Sequence, residues 1–178
     1  MRRVPPSTLV EPDRTHATPQ HLQVCSIPVP HWLPSPLPMP RADFYLIDKP
    51  RFRADPLLLV CELAKRAYAS GQPTLVLARS LEQAEEIDGK LWEFDEDAFI
   101  PHQIAGDEDD AITPVLIVPP GVATPDRPLI INLRDDCAPG LFERVLEVVP
   151  AEESQRLGSR ERWKTYKHAG FELKKFDM

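Results

Sequence analysis

Short apolar runs separated by amphipathic helical segments dominate the chain from residue 44 onward, and this alternation restricts the fold more than any other feature. Phe44, Tyr45, Leu46 and Ile47 make one such run, of the length of a buried strand. Asp55 and Pro56 follow as an N-cap and a proline at the first helical position, where the fixed φ of the ring suits a helix start. Leu59, Leu63 and Ala67, flanked by Val60 and Ala64, recur at three- and four-residue spacing to about Ser70, and Gly71 stands where a left-handed cap ends a helix. Thr74 to Ala78 reads as the second strand. Ser80 with Gln83 three residues later has the form of a capping box opening a helix that carries Ala84, Ile87, Leu91 and Trp92. Val115 to Val118 and Leu129 to Leu133 read as further strands, and Leu141 to Val149 fits either helix or strand. A last helix runs from about Glu152 to Ala169, before Gly170 and a short segment from Phe171 to Phe176. Strand, helix, strand, helix at this spacing predicts an α/β domain with a largely parallel sheet, because parallel neighbours need a crossover and a helix supplies it.

The first 40 residues are of another kind. They hold ten of the 21 prolines and no glycine, running through Pro28, Pro30, Pro34, Pro36, Pro38 and Pro40. Alternating prolines fix φ and remove backbone donors, so residues 1–40 are expected to be a disordered or polyproline II extension and residues 41–178 the folded domain. Such a tail could dock an aromatic groove or be dispensable; Met39, just before the first strand, is also a candidate start. The acidic loop Gly106 to Asp110 divides the remainder, but each half would be too small for a core of its own.

The chemistry of small α/β enzymes is missing. The first strand leads into Asp48, Lys49, Pro50, Arg51 and Phe52, and the second into Ala78, Arg79 and Ser80, so neither turn carries the glycines that let a backbone cradle phosphate. The chain has no GxSxG elbow and no HExxH pair. Cys25, Cys61 and Cys137 are widely spaced, which gives neither a disulfide framework nor a zinc site, and Cys61 follows an apolar helical run as a core thiol would. Consecutive acids from Asp107 to Asp110 lack the spaced ligands of a calcium loop and read as solvated charge. His102 has no second ligand nearby and reads as a turn or interface histidine. No metal, cofactor or catalytic residue is expected. With no long apolar span and no leader pattern, a reducing cytoplasmic setting is the expectation, and a net charge of -7 opposes coating nucleic acid directly.

Against that negative background, residues 156 to 167 carry Arg156, Arg160, Arg162, Lys164 and Lys167 with the single acid Glu161. At about 100° per residue, Arg156, Arg160, Trp163, Lys164 and Lys167 share one helical face. Two readings are open: a solvated face with a snorkelling tryptophan, or a receptor for a short acidic peptide with a hydrophobic end, in which arginine forks take carboxylates and the aromatic takes the apolar side chain.

Phe44-Tyr45-Leu46, Gly71 to Val76, Ala84 to Trp92, Phe99-Ile100-Pro101-His102 with Ala105-Gly106, and Arg160 to Tyr166 with Gly170-Phe171 together resemble, in order and spacing, the chi subunit family of bacterial DNA polymerase III. The resemblance covers Ala42 to Phe171. It implies a Rossmann-like α/β fold with helices on both faces and no phosphate loop, no catalytic activity, and a place in the clamp-loader assembly. It also implies two partners: the acidic C-terminal tail of single-stranded-DNA-binding protein, and the psi subunit that connects to the clamp loader. The family's tail-binding positions fall on Val149, Arg156, Arg160, Trp163 and Lys164, and its psi-facing surface on Trp92, Phe99, Pro101 and His102. Two departures stand out. Trp163 replaces a common tyrosine, and Gly158 interrupts the terminal helix at about 1 kcal/mol relative to alanine. A small nucleotide-binding hydrolase on the same sheet, and direct single-stranded-DNA binding through the terminal helix, are the competing readings.

Overall fold

The computed structural model describes residues 39–95 and 99–178; the expectations for the proline-rich segment up to residue 38 lie outside the described residues. Seven strands make one sheet in the spatial order β3, β4, β2, β5, β6, β1, β7, and every pairing is parallel. The strands are β1 (Arg41–Leu46), β2 (Thr74–Leu77), β3 (His102–Ile104), β4 (Val115–Val118), β5 (Leu129–Asn132), β6 (Arg144–Val149) and β7 (Glu172–Asp177). The helices are α1 (Pro50–Ala54), α2 (Pro56–Ala69), α3 (Leu81–Glu93) and α4 (Arg156–His168). This is the expected α/β, Rossmann-like architecture, parallel throughout.

Chain direction decides which face each helix covers. From β1 the chain crosses to β2 through α1 and α2, and from β2 on to β3 through α3, both in one direction along the sheet. From β6 it crosses over β1 to β7 in the opposite direction, through α4. Parallel crossovers are right-handed, so reversing the direction puts α4 on the opposite face. Two cores result. On the first face, Leu59, Val60, Leu63, Ala64 and Ala67 of α2 and Ala84, Ile87 and Leu91 of α3 pack on Tyr45, Val76, Ile117, Ile131 and Val148. On the second, Tyr166 and the half-buried Trp163 of α4 pack on Phe44, Val145 and Val149, while Val122, Cys137, Ala138 and Phe142 from loops cover Leu75, Leu116 and Ile130. Among the described residues, three helices thus shield one face and a single helix the other.

Several local expectations change. Asp55 precedes α2 but its side chain caps nothing, because its carboxylate is paired with Lys90 of α3. Ser80 Oγ accepts from the Gln83 amide at 3.2 Å, whereas Gln83 Oε1 accepts from the Arg79 amide at 2.8 Å, one residue before the position a capping box uses. Gly71 does take the left-handed conformation, φ +69°. His102 is not in a turn: it opens β3, an edge strand too short to show as an apolar run. The ambiguous Leu141–Val149 stretch resolves as β6, buried along both faces, and the segment after Gly170 is β7, paired with β1. The acidic loop is a 3-10 turn at Glu108–Ala111, in which the Asp110 carboxylate accepts from Gln103 Nε2 at 2.7 Å and the Gly106 amide at 2.9 Å, so that acid is structural rather than merely solvated. Cys61 is fully buried in α2, and burial pushes its thiol up to about 12.

One polar cluster crosses the second core. Glu147 on β6 is fully buried; it accepts from Arg162 Nε at 2.8 Å, Tyr166 Oη at 2.9 Å and Asn132 Nδ2 at 2.9 Å. Arg162 also donates to the Asp135 carbonyl at 3.0 Å. Burial pushes the Glu147 carboxyl above its ordinary value, and the Arg162 charge and these hydrogen bonds act against that rise. Glu147→Ala should destabilise the domain by about 3–5 kcal/mol, since it strands a buried guanidinium; denaturant unfolding of the variant beside wild type measures it.

Candidate functional site: a cation-rimmed groove beside the last helix

Because α4 is, among the described residues, the only helix on its face, it leaves the outer part of the sheet, β1 and β7, partly bare. A groove of about 630 Å³ runs there. Phe44 and Leu46 of β1 and Val149 at the end of β6 line it from the sheet; Leu157, Trp163 and the polar face of α4 line it from the helix; Lys175 of β7 stands on the opposite rim. The Trp163 ring meets Phe44 edge-on, with centroids 4.8 Å apart and planes at 63°.

All five residues singled out for the tail, Val149, Arg156, Arg160, Trp163 and Lys164, line this one groove. Their cations are held differently. Arg156 is tied down: its Nε donates to the Pro150 carbonyl at 3.0 Å, its Nη2 to the Ala151 carbonyl, and its Nη1 to Glu153 Oε2 at 2.9 Å. Arg160 is more exposed and reaches the other oxygen of Glu153. Lys164 pairs with Glu161 at 2.8 Å on the helix surface.

The positive stretch is less uniform than its composition. Arg162 points inward to Glu147 and is buried, so it contributes no surface charge. Lys167, although on the same helical face by angle, does not line the groove, which ends a turn earlier. Phe44, Leu46, Leu157 and Lys175 line it without having been singled out. Leu157 was detectable in principle, as a large apolar residue among polar neighbours and a glycine; Lys175 was not, because its place depends on β7 returning beside β1.

A second cluster lies at the other edge of the sheet and on the first face. Trp92, in the last turn of α3, has 61% of its surface exposed, and Phe99 is exposed at 66%. The Trp92 ring centroid is 5.8 Å from that of Phe99 and 5.1 Å from that of His102. Trp92 is therefore not a core residue. Pro101 is half-buried beside them, but the His102 ring is turned inward, its Nδ1 2.6 Å from the Ile100 carbonyl oxygen and its Nε2 3.2 Å from that of Asp88. Of the four positions given to a psi-facing surface, His102 supports Trp92 from beneath rather than presenting its own ring.

The carboxyl ends of the central strands, where a doubly wound sheet would hold a nucleotide, form a cleft of about 450 Å³ with Arg53, Arg79, Lys90, Asp55, Glu86 and Glu152 among its lining. These are three cations and three acids; Lys90 pairs with Asp55, and Arg79 Nε donates to the Leu133 carbonyl. Among the described residues, no group of three or more His, Cys, Asp or Glu side chains could hold a metal, and no helix is long and apolar enough to cross a membrane.

Comparison with known proteins bears on the whole domain. The profile of the family described as DNA polymerase III chi subunit, HolC, matches residues 39–174. The chain belongs to the DNA polymerase III chi subunit family. The chi subunit of Pseudomonas aeruginosa is 38% identical over 144 residues, covering 76% of this chain and 94% of that protein. The chi subunit of Escherichia coli K12 is 35% identical over 142 residues, covering 76% and 96%. As a chi-family protein it has an accessory role in DNA replication. A solved structure of T4 UvsW superposes with a TM-score of 0.53 over 78% of this chain and 41% of that one, at 8% identity, a likeness of fold alone.

Arg160 and Arg162, two residues and about 200° apart on the helix, invite a direct contrast. Arg160→Glu should change stability by no more than about 0.5 kcal/mol, as exposed substitutions do, whereas Arg162→Glu should cost several times more by setting a second acid against the buried Glu147. Thermal melts of the two variants separate the surface arginine from the structural one.

Proposed function

We propose that the chain is a non-catalytic adaptor that links the clamp loader, through a psi subunit, to the acidic C-terminal tail of single-stranded-DNA-binding protein, meeting DNA only indirectly. The observation that carries the reading is the groove itself: an apolar floor and an aromatic wall, with Arg156, Arg160 and Lys164 on one side and Lys175 on the other. An acidic peptide ending in phenylalanine is the complement of such a surface. Its terminal ring would lie against Trp163 and Val149, and its carboxylates would meet the arginine forks, which pair bidentately with planar anions.

The adaptor reading needs two sites that do not overlap. The exposed Trp92 and Phe99 cluster beside β3 and the groove beside β7 lie at opposite edges of the sheet and on opposite faces. Six interstrand spacings separate those edges, roughly 29 Å, enough for two partners to bind at once. Trp92 and Phe99, with Pro101 beside them, have the exposed aromatic character of an interface anchor. Function in the cytoplasm, where replication proceeds in a bacterium, belongs to the same proposal.

Titration of labelled tail peptides tests the first site. Arg160→Glu should abolish binding, added salt should weaken it steadily because exposed charge pairs are screened over about 10 Å at 0.1 M, and removing the terminal phenylalanine should weaken it more than removing any one acid. Equal affinity of wild type and Arg160→Glu would sink the reading. At the second site, Trp92→Ala should weaken psi association at least tenfold while leaving tail affinity within twofold, as the loss of an aromatic anchor at about 1.4 kcal/mol or more implies; a pull-down and a peptide titration on the same preparation compare the two.

A further inference from the structure

Two of the groove's cations are already occupied by a carboxylate from this chain. Glu153 presents one oxygen to each guanidinium: Oε2 lies 2.9 Å from Arg156 Nη1, and Oε1 accepts from Arg160 Nη2. A single acid bridges both arginines. That is the arrangement a ligand carboxylate entering the groove would seek, and the ligand cannot have it while Glu153 remains.

Glu153 is well suited to leave. It sits on the short 3-10 turn Glu153–Gln155 that precedes α4, its side chain is 64% exposed, and among the described residues it makes no other side-chain bond. Arg156, in contrast, is held by the Pro150 and Ala151 carbonyls and keeps its place whether or not Glu153 is there. The pairing of Lys164 with Glu161 differs in kind, joining two residues of the same helix three positions apart and engaging only one cation. The bridging acid can therefore swing to solvent without disturbing the helix or the fixed arginine, and both guanidinia are then open to a replacement.

Resting on the reading of the groove as an acidic-peptide site, we propose that Glu153 is an internal surrogate for the ligand's carboxylate, displaced when the peptide binds and setting an upper limit on its affinity. Such a contact keeps two like charges from repelling one another in the empty groove, while making every binding event an exchange of one carboxylate for another. The exchange favours rapid release of the tail over tight retention, because the displaced acid remains tethered beside the arginines and competes for them continuously.

The test uses the full chain and a labelled peptide with several aspartates and a C-terminal phenylalanine bearing a free carboxylate. Fluorescence anisotropy gives its Kd for wild type, Glu153→Gln and Glu152→Gln at low and high salt, with melting temperatures recorded for all three. Glu152→Gln makes the same change in charge next door, at a residue that bridges neither arginine. Glu153→Gln should bind about threefold to fivefold more tightly, the range that removal of an exposed ion-pair competitor can release, and this gain should shrink as salt rises. Glu152→Gln should stay within twofold of wild type. Equal or weaker binding by Glu153→Gln would overturn the proposal, the weaker result meaning that Glu153 aligns the arginines for the ligand; an equal gain from Glu152→Gln would reduce it to general charge. If wild type binds and Glu153→Gln shows no gain, only this inference falls, whereas failure of all three proteins to bind the peptide removes the peptide-site reading itself.

Discussion

The buried contact between Glu147 and Arg162 is what the second face of the molecule depends on. Taking two charges out of water is costly unless they are paired and their remaining hydrogen-bonding capacity is met. Here Glu147 accepts from Arg162, Tyr166 and Asn132, and Arg162 donates onward to Asp135 and Ser159. Arg162 and Tyr166 lie four residues apart on α4, one turn, while Glu147 lies on β6. The cluster therefore fixes both the rotation of α4 about its axis and its position along the strand. An apolar contact alone would tolerate sliding; three directed bonds to one carboxylate do not.

Rotation of that helix is what makes the groove. With Arg162 and Tyr166 turned to the sheet, helical geometry sends Arg156, Arg160 and Lys164 to the side facing β1 and β7, and leaves Trp163 half-buried at the boundary against Phe44. Chain topology supplies the opposite wall. The reversal of crossover direction between β1 and β6 places α4 on the face opposite the other described helices, so β7 is added at an edge that α4 does not wholly cover. The site is thus a consequence of one buried ion-pair network and one change of direction, and the apolar floor exists because β1 must be buried on the opposite face as well.

Much of this was legible before any coordinates. Apolar runs at 74–78, 115–118 and 129–133 and the three-four spacing of Leu59, Leu63 and Ala67 carry strong signals because both faces of a parallel strand, and one face of a helix, must be apolar. The helical face of Arg156, Arg160, Trp163 and Lys164 followed from angle alone, and the groove assembles those residues. Short edge elements were not legible: β3 has three residues of intermediate burial, and β7 has only Leu173 and Phe176 among four charged residues on an exposed edge, so neither makes an apolar run. Helical angle leaves Arg162 off that face, but composition counts it in the positive stretch, because composition cannot tell a cation facing solvent from one facing a carboxylate fifteen residues earlier on a strand. The Asp55 cap failed for a similar reason, a local hydrogen bond giving way to Lys90, thirty-five residues away.

An adaptor must hold two partners at once, and that requirement is open to direct measurement. Purified chain, psi subunit and single-stranded-DNA-binding protein tail, mixed in equal amounts, can be followed by analytical ultracentrifugation with the tail labelled. If the groove beside α4 and the aromatic cluster beside β3 are the two sites, the label sediments with a 1:1:1 complex, and saturating psi leaves the affinity for the tail unchanged. Displacement of the tail by psi, or a tail that sediments with psi but not with the chain alone, would contradict the account.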